Sequence, residues 1–198
     1  MGWFTLWRMN WSHSKLTDWG LSHVQIQSDY NALDVGCGGG RTVGKLAMIA
    51  REGKVYGLDY SAESVAATRK TNARLVEAGQ VEVRKASVSQ LPFAADMFDL
   101  VTAVETHFFW PNLPTDMREI LRVLAPGGTL IIIAEVYKGA NTMASKLCEK
   151  YAPLSGMTLL SAKEHRELLT DAGYADVRII EQQDKGWICA IGRKPATP

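Results

Sequence analysis

Asp34, Gly36, Gly38 and Gly40 alternate within the stretch ALDVGCGGGRTVGKLA, residues 32–47. An apolar run that ends on an acid and breaks into glycine before a helical pattern offers bare main chain at the tip of a strand. Three ligands use such a turn: a dinucleotide, a nucleoside triphosphate or S-adenosylmethionine. Asp59, nineteen positions after Gly40, is the next candidate. A carboxylate at the end of the second strand can accept both hydroxyls of a ribose, or it can simply begin the turn into a helix capped by Ser61.

The three ligands make different demands. The dinucleotide pattern G-x-G-x-x-G/A needs a small third residue so that helix and strand pack closely. Counting from Gly36 that residue is Arg41, and counting from Gly38 it is Val43, so both frames fail. The triphosphate loop G-x-x-x-x-G-K-[ST] is met by Gly39, Gly44 and Lys45, but Leu46 stands where the magnesium-holding hydroxyl is required. Leu46 also belongs to an apolar helical stripe, which puts Lys45 on the exposed side. What remains is D-x-G-x-G-x-G.

The elements that position these residues follow from periodicity. ALDVG reads as the first strand, and Val43, Leu46, Ala47 and Ala50 recur at helical spacing with Gly53 as a stop. VYGLD is the second strand, followed by a helix from Ser61 to about Gly79. VEVR and FDLVTAVE are the third and fourth strands. Met117, Ile120, Leu121 and Leu124 mark a helix closed by APGG, before the continuous buried strand TLIIIAEV. SAKE, residues 161–164, has the form of a capping box and opens a helix to Gly173. VRIIEQQ and WICAIGRK, separated by DKG, make a hairpin. Alternating strands and helices predict a doubly wound α/β fold, a parallel sheet ending in an antiparallel hairpin. Residues 1–30 and 137–160 fall outside the alternation and are expected to cover the ligand end of the sheet.

Whole-chain properties bound the answer. The 198 residues suit one domain, with an N-terminal cap (1–30), a ligand-binding core (31–136), a lid-like insertion (137–160) and a C-terminal helix and hairpin (161–198). A net charge of +1 with scattered Lys and Arg gives no electrostatic footprint for nucleic acid or an anionic membrane. The three cysteines, Cys37, Cys148 and Cys189, are far apart, which favours free thiols in a reducing compartment. The start MGWFTLWRMNWSHSK lacks a signal-peptide core, and Leu6 breaks the myristoylation pattern. No run reaches the ~20 apolar residues of a membrane span. The expectation is a cytoplasmic chain with no membrane contact.

The pattern D-x-G-x-G-x-G resembles the first motif of the class I S-adenosylmethionine-dependent methyltransferases. The likeness extends through GKVYGLDYS, LPFAADMFDLV and EILRVLAPGGTLIIIAE, about residues 31–136. It implies a seven-stranded sheet in the order 3-2-1-4-5-7-6 with the last strand antiparallel. It also implies S-adenosyl-L-methionine as cofactor and S-adenosyl-L-homocysteine as product. On this reading Asp34 helps to hold the methionine ammonium, and the loop Gly36, Cys37, Gly38 and Gly40 passes under the cofactor's tail and ribose. A Cβ at Gly36 or Gly38 would take that space, and glycine also reaches positive φ. Asp59 accepts the ribose hydroxyls and Tyr60 packs on the adenine. Where the family often has an Asp in the strand-3 loop, this chain has Ser87, followed by Val88 with its backbone N–H.

Methyl transfer is an in-line displacement, accelerated by alignment and exclusion of water. A general base is needed only if the acceptor must lose a proton. Candidates cluster after strand 4 in ETHFFWPN: Glu105 could touch cofactor or acceptor, and His107 is a candidate base or else a structural loop histidine. Phe108, Phe109 and Trp110 line an acceptor pocket or pack the core. In NWSHSKLTDWGL, near Asn10, Trp11 and Trp19, His13 is a second candidate base. No Cys/His spacing resembles a metal site. The family members that methylate exocyclic base amines usually carry an Asp/Asn/Ser-Pro-Pro-aromatic tetrad here, and its absence points from nucleic acid to a small-molecule acceptor. The other function class is a non-catalytic module that binds the cofactor and regulates or scaffolds a partner. Monomer and homodimer stay open.

Overall fold

β1 (Ala32–Val35) is buried along its whole length, which accounts for the apolar run around its single acid, Asp34. A central parallel strand is covered on both faces. The structure is a computed structural model and describes residues 14–196. β2 (Val55–Asp59) and β3 (Val81–Lys85) extend the sheet on one side, β4 (Phe98–Val104) and β5 (Leu124–Ala134) on the other. β6 (Ala175–Gln182) forms the far edge, and β7 (Trp187–Arg193) returns between β5 and β6, antiparallel to both. The order is therefore 3-2-1-4-5-7-6, as expected. Its register sets Asp34 beside Gly57 of β2 and Thr102 of β4.

Alternation along the strands divides the core in two. Leu33 and Val35 face Met117 and Ile120 of α5 (Leu113–Val123). Ala32 faces the other way, toward Val43 and Leu46 of α2 (Arg41–Ile49) and Leu16 of α1 (Ser14–Leu21). Both helices following β1 and β4 thus press on the sheet and hold the strand tips still.

Three local expectations need correction. The helix after Ser61 does not run to Gly79. It breaks at Asn72 into α3 (Ala62–Thr71) and α4 (Ala73–Glu77). The Asn72 amide donates to the carbonyls of Gly40 (2.9 Å) and Thr68 (3.0 Å), so the residue is tied to the glycine loop while its backbone leaves helical geometry. APGG does not close α5: Leu124 already begins β5, and Val123 completes the buried stripe. Lys194 explains why, since the Gly127 N–H donates to its carbonyl (3.0 Å) and its own N–H donates to Gly128 (2.8 Å). Finally, residues 137–160 contain a helix that periodicity did not announce, α6 (Met143–Ser155), capped by Thr142 and stopped by Gly156 at φ 71°. The excursion is closed at its base, where the Lys138 N–H donates to Leu160 (3.0 Å). Ser161 and Glu164 do form the expected capping box at the start of α7 (Ala162–Ala172).

Candidate functional site

The loop after β1 is folded back by two donors sharing one acceptor: the N–H groups of Gly36 (2.7 Å) and Cys37 (3.0 Å) both reach the Leu58 carbonyl. Gly36 and Gly38 stand at φ 76° and 52°, in the left-handed region open to glycine at little cost. They are glycine for different reasons. A Cβ on Gly36 would lie 2.7 Å from the Thr106 Cβ and closer still to its hydroxyl. The first glycine therefore makes room for the turn after β4. A Cβ on Gly38 would meet nothing nearer than the Gly36 carbonyl at 3.9 Å. That position opens on free space at the strand tips.

Asp59, at the end of β2, is buried and spans this opening. One carboxylate oxygen accepts the Gly38 N–H (3.0 Å) and the other the Ser61 N–H (2.9 Å). Of its two sequence readings the structure shows the turn into α3, and each oxygen keeps a further lone pair. Asp34 is buried behind the loop and accepts the Thr102 hydroxyl at 2.6 Å. Burial pushes its carboxyl up to about 7, the Thr102 hydrogen bond opposes that rise, and the nearby Asp59 charge adds to it.

Cys37 turns its side chain inward, where its sulfur accepts the Thr68 hydroxyl (3.3 Å) and burial raises the thiol well above its ordinary range. Only its main chain faces the loop. Tyr60 is 79% exposed beside Asp59. Ser87 is exposed and accepts the Ser89 N–H (3.2 Å), while Val88 buries its side chain.

The turn after β4 carries the acceptor-side candidates. Glu105 adopts φ 56°, rare for a residue with a side chain. Its N–H donates to Ile133 (2.9 Å) and its carboxylate accepts the Glu135 N–H. His107 opens a short 3-10 turn, His107–Phe109, and is 0% exposed. Its Nε2 lies 3.1 Å from Nε2 of His165 on α7, and its Nδ1 has no hydrogen-bond partner among the described residues. Burial, and then the neighbouring His165, hold His107 well below the ordinary imidazole value. The enclosed ring, paired to another ring, fits the second of its two sequence readings, a structural histidine, though bonded to a side chain rather than to backbone.

Phe108 and Trp110 are buried, and the Trp110 indole donates to Thr106 (3.3 Å); Phe109 alone of the three is exposed. Trp19 packs edge-on against His23 at 4.9 Å between ring centroids. Asn10, Trp11 and His13 lie outside the described residues. Sequence reasoning missed Thr102, Thr106, Asn72, His165 and Cys148. Cys148, on α6, packs against the apolar cluster that holds Phe108 and Tyr137, and burial and then the charges of Glu105 and Glu135 raise its thiol. Thr102 alone had a sequence signal, since strand register could have set it beside Asp34.

Comparison with known proteins adds a family. Residues 33–132 match the model described as a methyltransferase domain. The chain is 32% identical over 149 residues to O-methyltransferase cnsE of Penicillium expansum, an alignment covering 75% of this chain and 53% of that protein. It spans about half the length of the curated relatives it matches. Among solved structures, the complex between the Haloferax volcanii Trm112 methyltransferase activator and the putative methyltransferase contains a chain that superposes with a TM-score of 0.83 at 21% identity, covering 96% of this chain and 94% of that one. A SAM-dependent methyltransferase from Aquifex aeolicus gives 0.79 at 21% identity, covering 98% and 99%. At these identities the superpositions speak for the fold.

Proposed function

Starting from the fact that the chain belongs to the methyltransferase domain family, we propose that it transfers a methyl group from S-adenosyl-L-methionine to a small-molecule acceptor. The cofactor, when bound, supplies a methyl on a sulfonium whose displacement leaves a neutral thioether. The observation that carries the reading is the pairing of Gly38 with Asp59. Main chain bare of side chain faces open space, next to a buried carboxylate with lone pairs to spare. The Asp59 carboxylate at this tip disfavours a phosphate, whereas the sulfonium and the α-ammonium group of S-adenosyl-L-methionine are attracted.

Each residue then has a task. Asp59 accepts the ribose hydroxyls. Asp34, enclosed and raised to about 7, is a carboxyl waiting for a cation, and an ammonium group returns it to the ionised form. Gly36, Cys37 and Gly40 shape the loop, and Gly38 leaves it uncovered. Tyr60 offers an exposed ring to the adenine, the Val88 N–H a donor to its edge, and Ser87 borders it. Glu105 stands where cofactor and acceptor meet. With His107 enclosed, the chain's described residues act by aligning reactants and excluding water, worth many orders of magnitude without a base. The cnsE relative is named an O-methyltransferase, which supports a small molecule as the acceptor here.

Titration calorimetry and thermal shift test the reading. S-adenosyl-L-homocysteine should bind and raise the melting temperature as RT ln(1 + [L]/Kd) predicts, with no response to ATP–magnesium or NAD. Stabilisation by a nucleotide and none by S-adenosyl-L-homocysteine would reject it.

A further inference from the structure

Helix α6 is turned inside out. Met143, Leu147, Tyr151 and Leu154 are 80%, 54%, 47% and 84% exposed, while the side chains that face the protein are the small Ser145, Cys148 and Ala152. Spacings of four, four and three residues place the four exposed apolar groups within an arc of about 80° at 3.6 residues per turn. An ordinary surface helix puts such a stripe against the core, and a contiguous exposed one marks an interaction surface.

One edge of the stripe is basic. Lys146 donates to the neutral Asn141 amide (2.8 Å), and the Lys150 ammonium lies 5.4 Å from the Tyr151 ring centroid. Glu149 is turned away, its carboxylate accepting the Gly139 N–H. Apolar stripe, aromatic border and lysine edge together form the pattern of a helix lying in a lipid interface. The face is too small for a self-sufficient protein contact. Thirteen residues make a helix about 20 Å long and, at about 10 Å wide, a face of about 200 Å², against about 800 Å² per partner in a stable interface. No helix among the described residues is long and apolar enough to cross a membrane, so the contact is with a surface.

We propose that the outward face of α6 docks the protein on an anionic lipid surface, Met143, Leu147 and Leu154 entering the headgroup boundary and Lys146 and Lys150 meeting the lipid charge. This departs from the expectation of no membrane contact, which rested on scattered Lys and Arg at a net charge of +1 and on the lack of a spanning apolar run; a pair of lysines beside an apolar stripe acts locally, within a Debye length. The inference does not depend on the reaction assigned above.

Co-sedimentation of the full chain with phosphatidylcholine vesicles, with and without phosphatidylserine, tests it. The chain binds the phosphatidylserine vesicles, and salt weakens the binding. Leu147→Ser/Leu154→Ser lowers partitioning at least about tenfold. Lys146→Gln/Lys150→Gln lowers it by about fivefold per lysine on anionic vesicles alone. All four side chains are exposed, and unchanged melting temperatures confirm that the variants fold. No binding to anionic vesicles, or equal binding to both kinds, overturns the proposal. A dimer in light scattering that Leu147→Ser/Leu154→Ser abolishes, without vesicle binding, overturns it in favour of a second copy.

Discussion

The Nε2 atoms of His107 and His165 lie 3.1 Å apart, and a second contact fixes which ring donates. His165 Nδ1 is 2.9 Å from the Ser161 carbonyl, which can only accept, so that nitrogen carries the hydrogen. In a neutral ring its Nε2 is then bare, and His107 Nε2 must donate to it. The bond ties the turn holding Glu105 and Thr106 to α7. His165→Leu orphans a buried N–H and should cost about 1–3 kcal/mol, whereas His107→Leu/His165→Leu removes both partners and should recover much of that loss. Chemical denaturation of the three proteins checks the order. Methyl transfer surviving in the double variant is expected, and its abolition in a well-folded protein would restore His107 as a catalytic residue.

Burial holds both imidazoles below their ordinary value, His107 furthest. A depressed histidine binds its proton more weakly folded than unfolded. This contribution is complete above the unfolded value of about 6.5 and is lost as pH falls below it. Melting temperature should drop between pH 6.5 and 5 in the parent chain and drop less in His107→Leu/His165→Leu.

Asp34 pulls the other way. Its carboxyl rises from 3.8 to about 7 on folding, so the folded state holds the proton more tightly. The favourable contribution is complete below pH 3.8 and disappears as pH climbs to 7. Asp34→Asn, which never ionises, should melt higher than the parent at pH 8, by a few kcal/mol at most. S-adenosyl-L-homocysteine, with its ammonium, should bind the parent more tightly as pH rises from 6 to 8, with a flat profile in Asp34→Asn. Calorimetry in buffers of different ionisation enthalpy would detect the proton released.

Gly36 and Gly38 should separate fold from ligand. Gly36→Ala drives a methyl into Thr106 at positive φ and is expected to destabilise the chain by several kcal/mol. Gly38→Ala meets no protein atom and costs about 1–2 kcal/mol of backbone strain. It should nonetheless weaken S-adenosyl-L-homocysteine at least about tenfold, because the new methyl faces the ligand's path. Equal losses of stability in the two variants would contradict the different roles.

Asp59→Ala removes an acceptor for both the Gly38 and the Ser61 N–H. It should lower the melting temperature modestly and weaken S-adenosyl-L-homocysteine by more than roughly a hundredfold, two charge-assisted hydrogen bonds being worth about 1.5–3 kcal/mol each. The same titration on Glu105→Gln should show a much smaller change.

Within one strand–turn–helix unit the residues that must cooperate are neighbours in sequence. The glycine loop, the position of Asp59 and the caps Ser61 and Ser161 were therefore legible from spacing and alternation, whereas the strand order followed from the family resemblance. The helix over Met143–Ser155 was not announced by periodicity, and spacing alone could say only that four apolar groups share a face, never whether that face looks in or out. Tertiary structure decided this, as it decided that Thr106 sets Gly36, that Asn72 breaks a helix to hold Gly40, and that His107 turns from the strand tips to His165. Burial and hydrogen bonding are settled between elements far apart in the chain. Their chemistry is written in residue types, but their meeting is fixed only when the sheet is assembled.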